Sequence, residues 1–158
     1  MNMIFTAIFT MAFLTQIILM FIFFNELNLI IFIYIGYILW GFSLYFGLIS
    51  FWTFKKRGGV QKGKSYINTT KLVEKGPYAI VRHPQYFGGI LFTISITLWT
   101  QLWISLILSL IILVLTYQWT YVEDKKLTDK FGEDYKRYKE KVPRLNPILG
   151  IIKYYIQK

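Results

Sequence analysis

Three long apolar tracts set the plan of the chain. Ile4–Phe24, Leu29–Phe54 and Tyr86–Val122 carry no charged residue over 21, 26 and 37 positions. A bilayer-crossing helix needs about 20 predominantly apolar residues. The first two tracts therefore predict two spanning helices, joined by the short turn Asn25-Glu26-Leu27-Asn28. As one helix the third tract would run about 55 Å at 1.5 Å per residue, against a hydrocarbon core of about 30 Å. It is expected to double back as a helical hairpin, with its turn near Thr97–Trp103. Trp99, Gln101 and Trp103 suit a membrane interface there. No alternation of strand type appears, and an open sheet has no place in lipid. The expectation is an all-α integral membrane bundle of four spans, roughly 3–24, 29–54, 85–99 and 103–122.

Beyond the last tract the pattern turns amphipathic. Leu127, Phe131, Tyr135, Tyr138 and Val142 recur every three or four residues and predict one apolar stripe on a helix. Lys130, Glu133, Asp134, Lys136, Arg137 and Lys141 fall on the opposite face. This reads as an interfacial helix, or as one that also closes over a site. A last amphipathic piece, 148–156, follows Pro143 and Pro147. The chain is thus expected to be a single domain over 1–158: a helical hairpin at 1–54, a connector at 55–84, a second hairpin at 85–122 and a tail at 123–158.

Charge gives the orientation. The chain carries 18 Lys and Arg against 8 Asp and Glu, a formal net charge of +10. Lys55, Lys56, Arg57, Lys62, Lys64, Lys71, Lys75 and Arg82 crowd the connector, and the remaining bases lie in the tail. Basic segments collect on the cytoplasmic side, so both termini and the connector are expected there and the turn at 25–28 outside. The same placement argues against nucleic acid as the partner. A cleaved signal peptide is not expected, because no basic residue precedes the first apolar tract and that tract is too long.

Composition narrows the chemistry. The chain is 55% hydrophobic and only 16% charged, which excludes a soluble globular domain and a disordered tail. With no cysteine and a single histidine, His83, it has neither a thiolate nucleophile nor the ligands of a zinc site, and no metal centre is expected.

The informative stretch lies where the connector meets the third tract. Gly76-Pro77 signals a turn. Pro84 suits the first position of a helix, where its missing N–H costs nothing. His83 then sits at or next to the helix cap, above free backbone N–H groups that favour an anion. Arg82 adds a guanidinium matched to carboxylate or phosphate. Gly88 and Gly89 let a helix or a flat ligand approach the backbone. Singly, each has a structural use: Arg82 snorkels to headgroups, His83 caps a helix, and Gly88-Gly89 packs. Together they occupy eight residues at one membrane depth.

A second cluster, Glu123-Asp124, ends the fourth span, where the helix dipole disfavours acids. Lys125 and Lys126 offset them on the bland reading. On the functional reading a carboxylate receives a ligand's hydroxyls or amine. Tyr117, Gln118 and Tyr121 bring polar tips to the same end. A hairpin of the last two spans would bring Arg82 and His83 opposite Glu123 and Asp124, an arrangement suited to a zwitterionic ligand.

Gly76-Pro77-Tyr78, Arg82-His83-Pro84, Tyr86 and Gly88, followed by Glu123-Asp124, Leu127, Phe131-Gly132, Tyr135, Tyr138 and Val142-Pro143-Arg144, form a pattern that resembles the integral membrane methyltransferases. That family includes isoprenylcysteine carboxyl methyltransferases and phospholipid N-methyltransferases. The match covers about 70–146, roughly half the chain. The resemblance implies S-adenosylmethionine as cofactor, held between the Arg-His-Pro segment and the acidic pair. It assigns cofactor binding to Tyr78, Arg82, His83, Pro84, Tyr86, Gly88, Glu123 and Asp124, and catalysis to Arg82 and His83. The second acid is usually Glu in that family and is Asp124 here, one carbon shorter. The resemblance also implies a lipophilic acceptor that enters from the bilayer. The ending Val142-Pro143-Arg144-Leu145-Asn146-Pro147 leans toward the isoprenylcysteine carboxyl branch, with a phospholipid amine as the alternative. A reading of another class is a non-enzymatic transporter or assembly subunit. The lack of ionisable residues deep within the spans weakens an ion-coupled transporter. Oligomeric state is not legible, because Gly88-Gly89 serves contacts within or between chains equally well.

Overall fold

A computed structural model describes residues 3–59 and 69–156. Lys62 and Lys64, two of the connector bases, lie outside the described residues. The described residues are helical, without a strand: α1 Met3–Ile22, α2 Ile30–Leu44, a π-helical turn Tyr45–Ile49, α3 Ser50–Arg57, a 3₁₀ turn Gly76–Ala79, α4 Pro84–Thr100, α5 Trp103–Phe131, α6 Glu133–Lys141 and α7 Pro147–Ile156. Among the described residues three helices are long and apolar enough to cross a membrane: Met3–Ile22, the continuous helix Ile30–Arg57, and Trp103–Phe131. The α4 helix has 17 residues.

The described residues fall into two compact units. The first contains the chain up to Leu44 and Gly88–Val122. Its apolar helices expose what a soluble core would hide. Phe5, Ile8, Met11, Leu14 and Ile18 of α1 all face outward, and α1 buries only Ala12 and Gln16. A non-aqueous surround explains that inversion, because exposed apolar area on this scale is unfavourable in water. The unit's core is Ile33, Ile96 and Trp99, with Ile17, Met20 and Phe92 packed against it. Gly36 makes room for the indole: a Cβ there would lie 2.6 Å from Trp99 Nε1.

The hairpin of α4 and α5 turns at Gln101-Leu102, within the expected range. No glycine serves this turn. Gln101 itself takes a left-handed φ of 57°. Its side chain supports the strain, donating to Asn25 Oδ1 at 2.8 Å and Leu29 O at 3.0 Å and accepting from the Leu27 and Leu29 amides. One amide thus ties the 25–28 turn to the hairpin tip. Asn25 and Asn28 also hold positive φ, a conformation asparagine tolerates well. Deeper in the unit, Gln16 Nε2 reaches Thr93 O at 3.0 Å, Thr97 Oγ1 at 3.1 Å and Ser105 O at 3.3 Å, stitching α1 to both arms of the hairpin.

The second unit contains Tyr45–Phe87 and the chain from Glu123 onward. The expected stripe is present, but on two helices. Gly132, with φ 57°, breaks the run between α5 and α6. Leu127 and Phe131 pack with Leu72 against buried Tyr135, Tyr138 and Val142. These side chains form a protein core. The outer face of α6 carries exposed ion pairs, Lys136 with Glu133 at 2.6 Å and Arg137 with Asp134. The α5 helix also runs past the expected end at Val122 to Phe131. Glu123 and Asp124 therefore sit within a helix, away from its C-terminal carbonyls, and the dipole no longer disfavours them.

Candidate functional site

The second unit builds a buried polar cluster around the start of α4. Gly76, at φ 67°, opens the 3₁₀ turn, and Pro77 follows as its second residue, still within the first turn, where no N–H donor is needed. Tyr78 is buried there, its ring edge-on to Phe54 at 4.7 Å. The Tyr138 hydroxyl donates to the Tyr78 carbonyl at 2.6 Å, pinning the turn to α6. Pro84 opens α4, and the His83 carbonyl accepts the Phe87 amide at 3.0 Å. His83 is thus the N-cap residue by its backbone bond.

Arg82 and His83 both reach Asp124. Arg82 Nη1 donates to Asp124 Oδ2 at 3.0 Å, and His83 Nε2 lies 2.8 Å from Oδ1. Tyr135, fully buried, donates its hydroxyl to the same Oδ1 at 2.6 Å. Arg144 closes the group with Nε at 3.0 Å and Nη2 at 2.8 Å from Oδ2. Five donors therefore converge on one carboxylate whose side chain is 4% exposed. Such a carboxylate has about four lone-pair sites, and they are taken up by the protein's own groups. Burial, then the bond to Asp124, pushes the Tyr135 phenol far above its ordinary range, and burial does the same for Tyr138. Both remain neutral donors across the working pH range.

Arg82 keeps something in reserve. Its side chain is 8% exposed, yet Nε is buried with no hydrogen-bond partner among the described residues. A buried unpaired donor on a charged group is costly. The cluster also holds two guanidiniums against a single carboxylate.

The other residues singled out from the sequence take different places. The Tyr86 ring lies 5.6 Å from the His83 ring, tilted by 56°. Pro84 is buried. Glu123 does not join Asp124; it pairs with Lys126 at 3.8 Å, partly exposed. Gly88 is buried one turn into α4, in the first unit, and Gly89 is open on its outer face. Tyr117 and Tyr121 are exposed, with their hydroxyls 3.3 Å apart. Among the described residues no group of His, Asp and Glu has the arrangement of a metal site.

Two members of the cluster, Tyr135 and Arg144, belong to the pattern of the resemblance but carry no site role in the sequence reading. Tyr135 sits on an apolar stripe, where period alone cannot separate a membrane-facing ring from one whose hydroxyl reaches a carboxylate. Arg144 lies 20 residues from Asp124, on no shared helix face. Its place in Val142-Pro143-Arg144 is the only signal.

Described residues that are helical, with three apolar helices of spanning length, and a buried cluster of guanidiniums, imidazole, phenol and carboxylate within the second unit define a helical membrane protein that carries a buried polar site. The family model described as phospholipid methyltransferase matches residues 31–134, about two thirds of the chain, and the chain belongs to that family. Membership makes it a membrane methyltransferase. The chain has no match among curated proteins and none among solved structures.

Proposed function

We propose that the chain is a single S-adenosylmethionine-dependent methyltransferase domain, with the cofactor bound at the Arg82–His83 cluster and the methyl group passed to a lipophilic acceptor. The observation that carries this reading is Arg82 Nε, a buried cationic donor with no hydrogen-bond partner among the described residues. An excess of guanidinium over carboxylate and an unused donor fit an anionic group, such as the carboxylate end of the cofactor. When bound, the cofactor supplies an activated methyl group, so the protein's task is chiefly to place two reactants.

Within this reading Arg82 holds the anionic end. Asp124 acts through the side chains it orients, because its own acceptor sites are filled. Family resemblance adds Tyr78, Pro84, Tyr86, Gly88 and Glu123 to the cofactor's surroundings. Glu123, loosely paired and partly exposed, is the acid available to a positive group. An ionised Asp124 only accepts, so Nε2 of His83 carries the proton toward it. In the neutral imidazole Nδ1 is then the bare nitrogen, oriented as a base by the carboxylate behind it. An amine acceptor must lose a proton to react, whereas a carboxylate acceptor is already a nucleophile. The imidazole–carboxylate pair and the family description together favour a phospholipid amine. The Val142–Pro147 ending supports an isoprenylcysteine carboxylate as the second reading.

The membrane arrangement belongs to the same proposal. The α4 helix is about 25 Å long at 1.5 Å per residue and acts as the fourth span, while α7 lies in the interface. Both termini and the cofactor site are cytoplasmic, following the basic residues of the connector and the tail.

Isothermal calorimetry with S-adenosylmethionine on detergent-solubilised protein tests the reading. Wild type should bind, and Arg82→Ala and His83→Ala should weaken binding at least about tenfold, the value of one lost charge-assisted hydrogen bond. Undiminished affinity in both variants would refute the site. Labelled methyl transfer to a lipid extract then identifies the acceptor.

A further inference from the structure

The side chains of Arg82 and His83 are held by Asp124, but the backbone of this segment is held by residues beyond those that match the family. The match stops at residue 134. Past it, the Arg82 amide donates to the Pro143 carbonyl at 3.0 Å, and the His83 amide donates to the Arg144 carbonyl at 3.3 Å. Two successive backbone donors of the candidate site are therefore satisfied by two successive carbonyls of the tail. The Arg144 side chain turns back onto Asp124, the same carboxylate that Arg82 and His83 use.

The tail continues to a third contact. Asn146 caps the start of α7, accepting the Gly150 amide on its carbonyl and the Leu149 amide on its side chain, both at 3.0 Å. This fixes the first turn of α7 and sets Gly150 against the Ile80 backbone. A Cβ at position 150 would overlap the Ile80 carbonyl oxygen and come within 2.8 Å of its carbonyl carbon. No rotamer change relieves an overlap with backbone. Only glycine allows this approach. Ile80, Arg82 and His83 are thus located from one side by residues 150, 143 and 144.

We propose that residues 142–150 form a strap that positions the Arg82–His83 pair, with Arg144 and Gly150 as its positioning residues. Arg144 acts through Asp124, sharing Oδ2 with Arg82 and so setting where the Arg82 fork points. Gly150 acts through Ile80, setting the height of the segment that enters α4. Neither is required to touch a ligand. The proposal concerns the site of the preceding section, and its ligand-binding arm rests on that reading; its spectroscopic arm does not.

The single histidine makes the test clean. In protein labelled with ¹⁵N-histidine, the Nε2 proton held at Asp124 should give one downfield, slowly exchanging signal. Gly150→Ala lifts Ile80 and should broaden or abolish that signal. Arg144→Lys keeps the charge but loses the two-pronged grip. It should shift the signal and weaken S-adenosylhomocysteine binding about tenfold, while the thermal midpoint followed by tryptophan fluorescence changes little. Lys153→Ala, which removes only a surface bond to the Glu140 carbonyl, should leave both readouts as in wild type. If Gly150→Ala fails to fold, Arg144→Lys carries the test alone. A wild-type Nε2 signal in either strap variant overturns the proposal. If wild type shows the signal and the variants lose it, but no protein binds the cofactor product, the strap stands and the cofactor reading fails.

Discussion

Removing the charge of Asp124 is the sharpest perturbation available. In Asp124→Asn, one oxygen is replaced by a donor group that faces other donors. Arg82 and Arg144 then lose the counter-charge they share, in a place where the carboxylate is 4% exposed and the Arg82 side chain 8%. Five contacts between 2.6 and 3.0 Å lose their common acceptor or are weakened. Breaking a buried pair by deleting one partner costs about 3–5 kcal/mol, most of it from the charge left behind. At about 2–4 °C per kcal/mol for a chain of this size, the thermal midpoint should fall by about 6–20 °C. Tryptophan fluorescence on heating the detergent-solubilised protein measures this. Asp134→Asn is the matched control. It removes an acid from an ion pair that is 68% exposed on both sides, and should change stability by no more than about 0.5 kcal/mol. A drop for Asp124→Asn as small as the control's would refute the claim that this carboxylate organises the cluster.

Three further outcomes follow from the geometry. Tyr135→Phe removes the 2.6 Å bond to Asp124 and should cost about 1.5–3 kcal/mol in denaturant titrations, as for hydrogen bonds to charged groups. Burial and the Asp124 bond raise the Tyr135 phenol above its unfolded value of 10.0. Its contribution is therefore fully present below pH 10 and is lost as pH rises beyond it, because the unfolded chain ionises first; alkaline unfolding should be less steep in Tyr135→Phe. Gly36→Ala forces the Trp99 indole to move, with Nε1 at 2.6 Å and Cδ1 at 2.7 Å from the new methyl group, and should cost about 1–3 kcal/mol by heat. Gly41→Ala meets nothing within 4 Å and should be neutral. Gln16→Leu should cost no more than about 2 kcal/mol by the measure of polar contacts between membrane helices. It also removes Oε1, buried without a partner among the described residues, so Gln16→Glu should be the more damaging change in the same assay.

Much of the helical plan was legible because membrane thickness constrains it. The tracts ending at Phe24 and Phe54 became helices ending at Ile22 and Arg57. The hairpin turn lay within the expected seven residues, although nothing in its composition marks it: Gln101 takes the left-handed conformation and secures it with its own side chain. The end of α5 was misplaced because charge marks where an apolar tract stops, and a helix can continue into water to Phe131. Period alone puts the stripe from Leu127 to Val142 on one helix, with 148–156 as a separate piece. Gly132 divides that helix at a φ of 57°, and the glycine itself is the only mark of the break in the sequence. The stripe kept its members and changed its meaning, since Tyr135 and Tyr138 pack inside the second unit.

The site divides in the same way. Arg82 and His83 stood out by chemical type and by their place before Pro84. The acidic pair stood out too, but adjacent residues on a helix point about 100° apart. One acid enters the cluster and the other stays at the surface, and which does which is decided by packing. Tyr135 and Arg144 reach Asp124 from 11 and 20 residues away. That convergence is a property of the folded tail and has no local signature.

The most direct measurement is an experimental structure of the protein in a lipid nanodisc with S-adenosylhomocysteine. The account predicts the ligand's carboxylate within hydrogen-bond distance of the Arg82 guanidinium, with Asp124 still held by Tyr135 and Arg144. Ligand density away from Arg82 and His83, or an Asp124 released from its protein donors to bind the ligand itself, would contradict it.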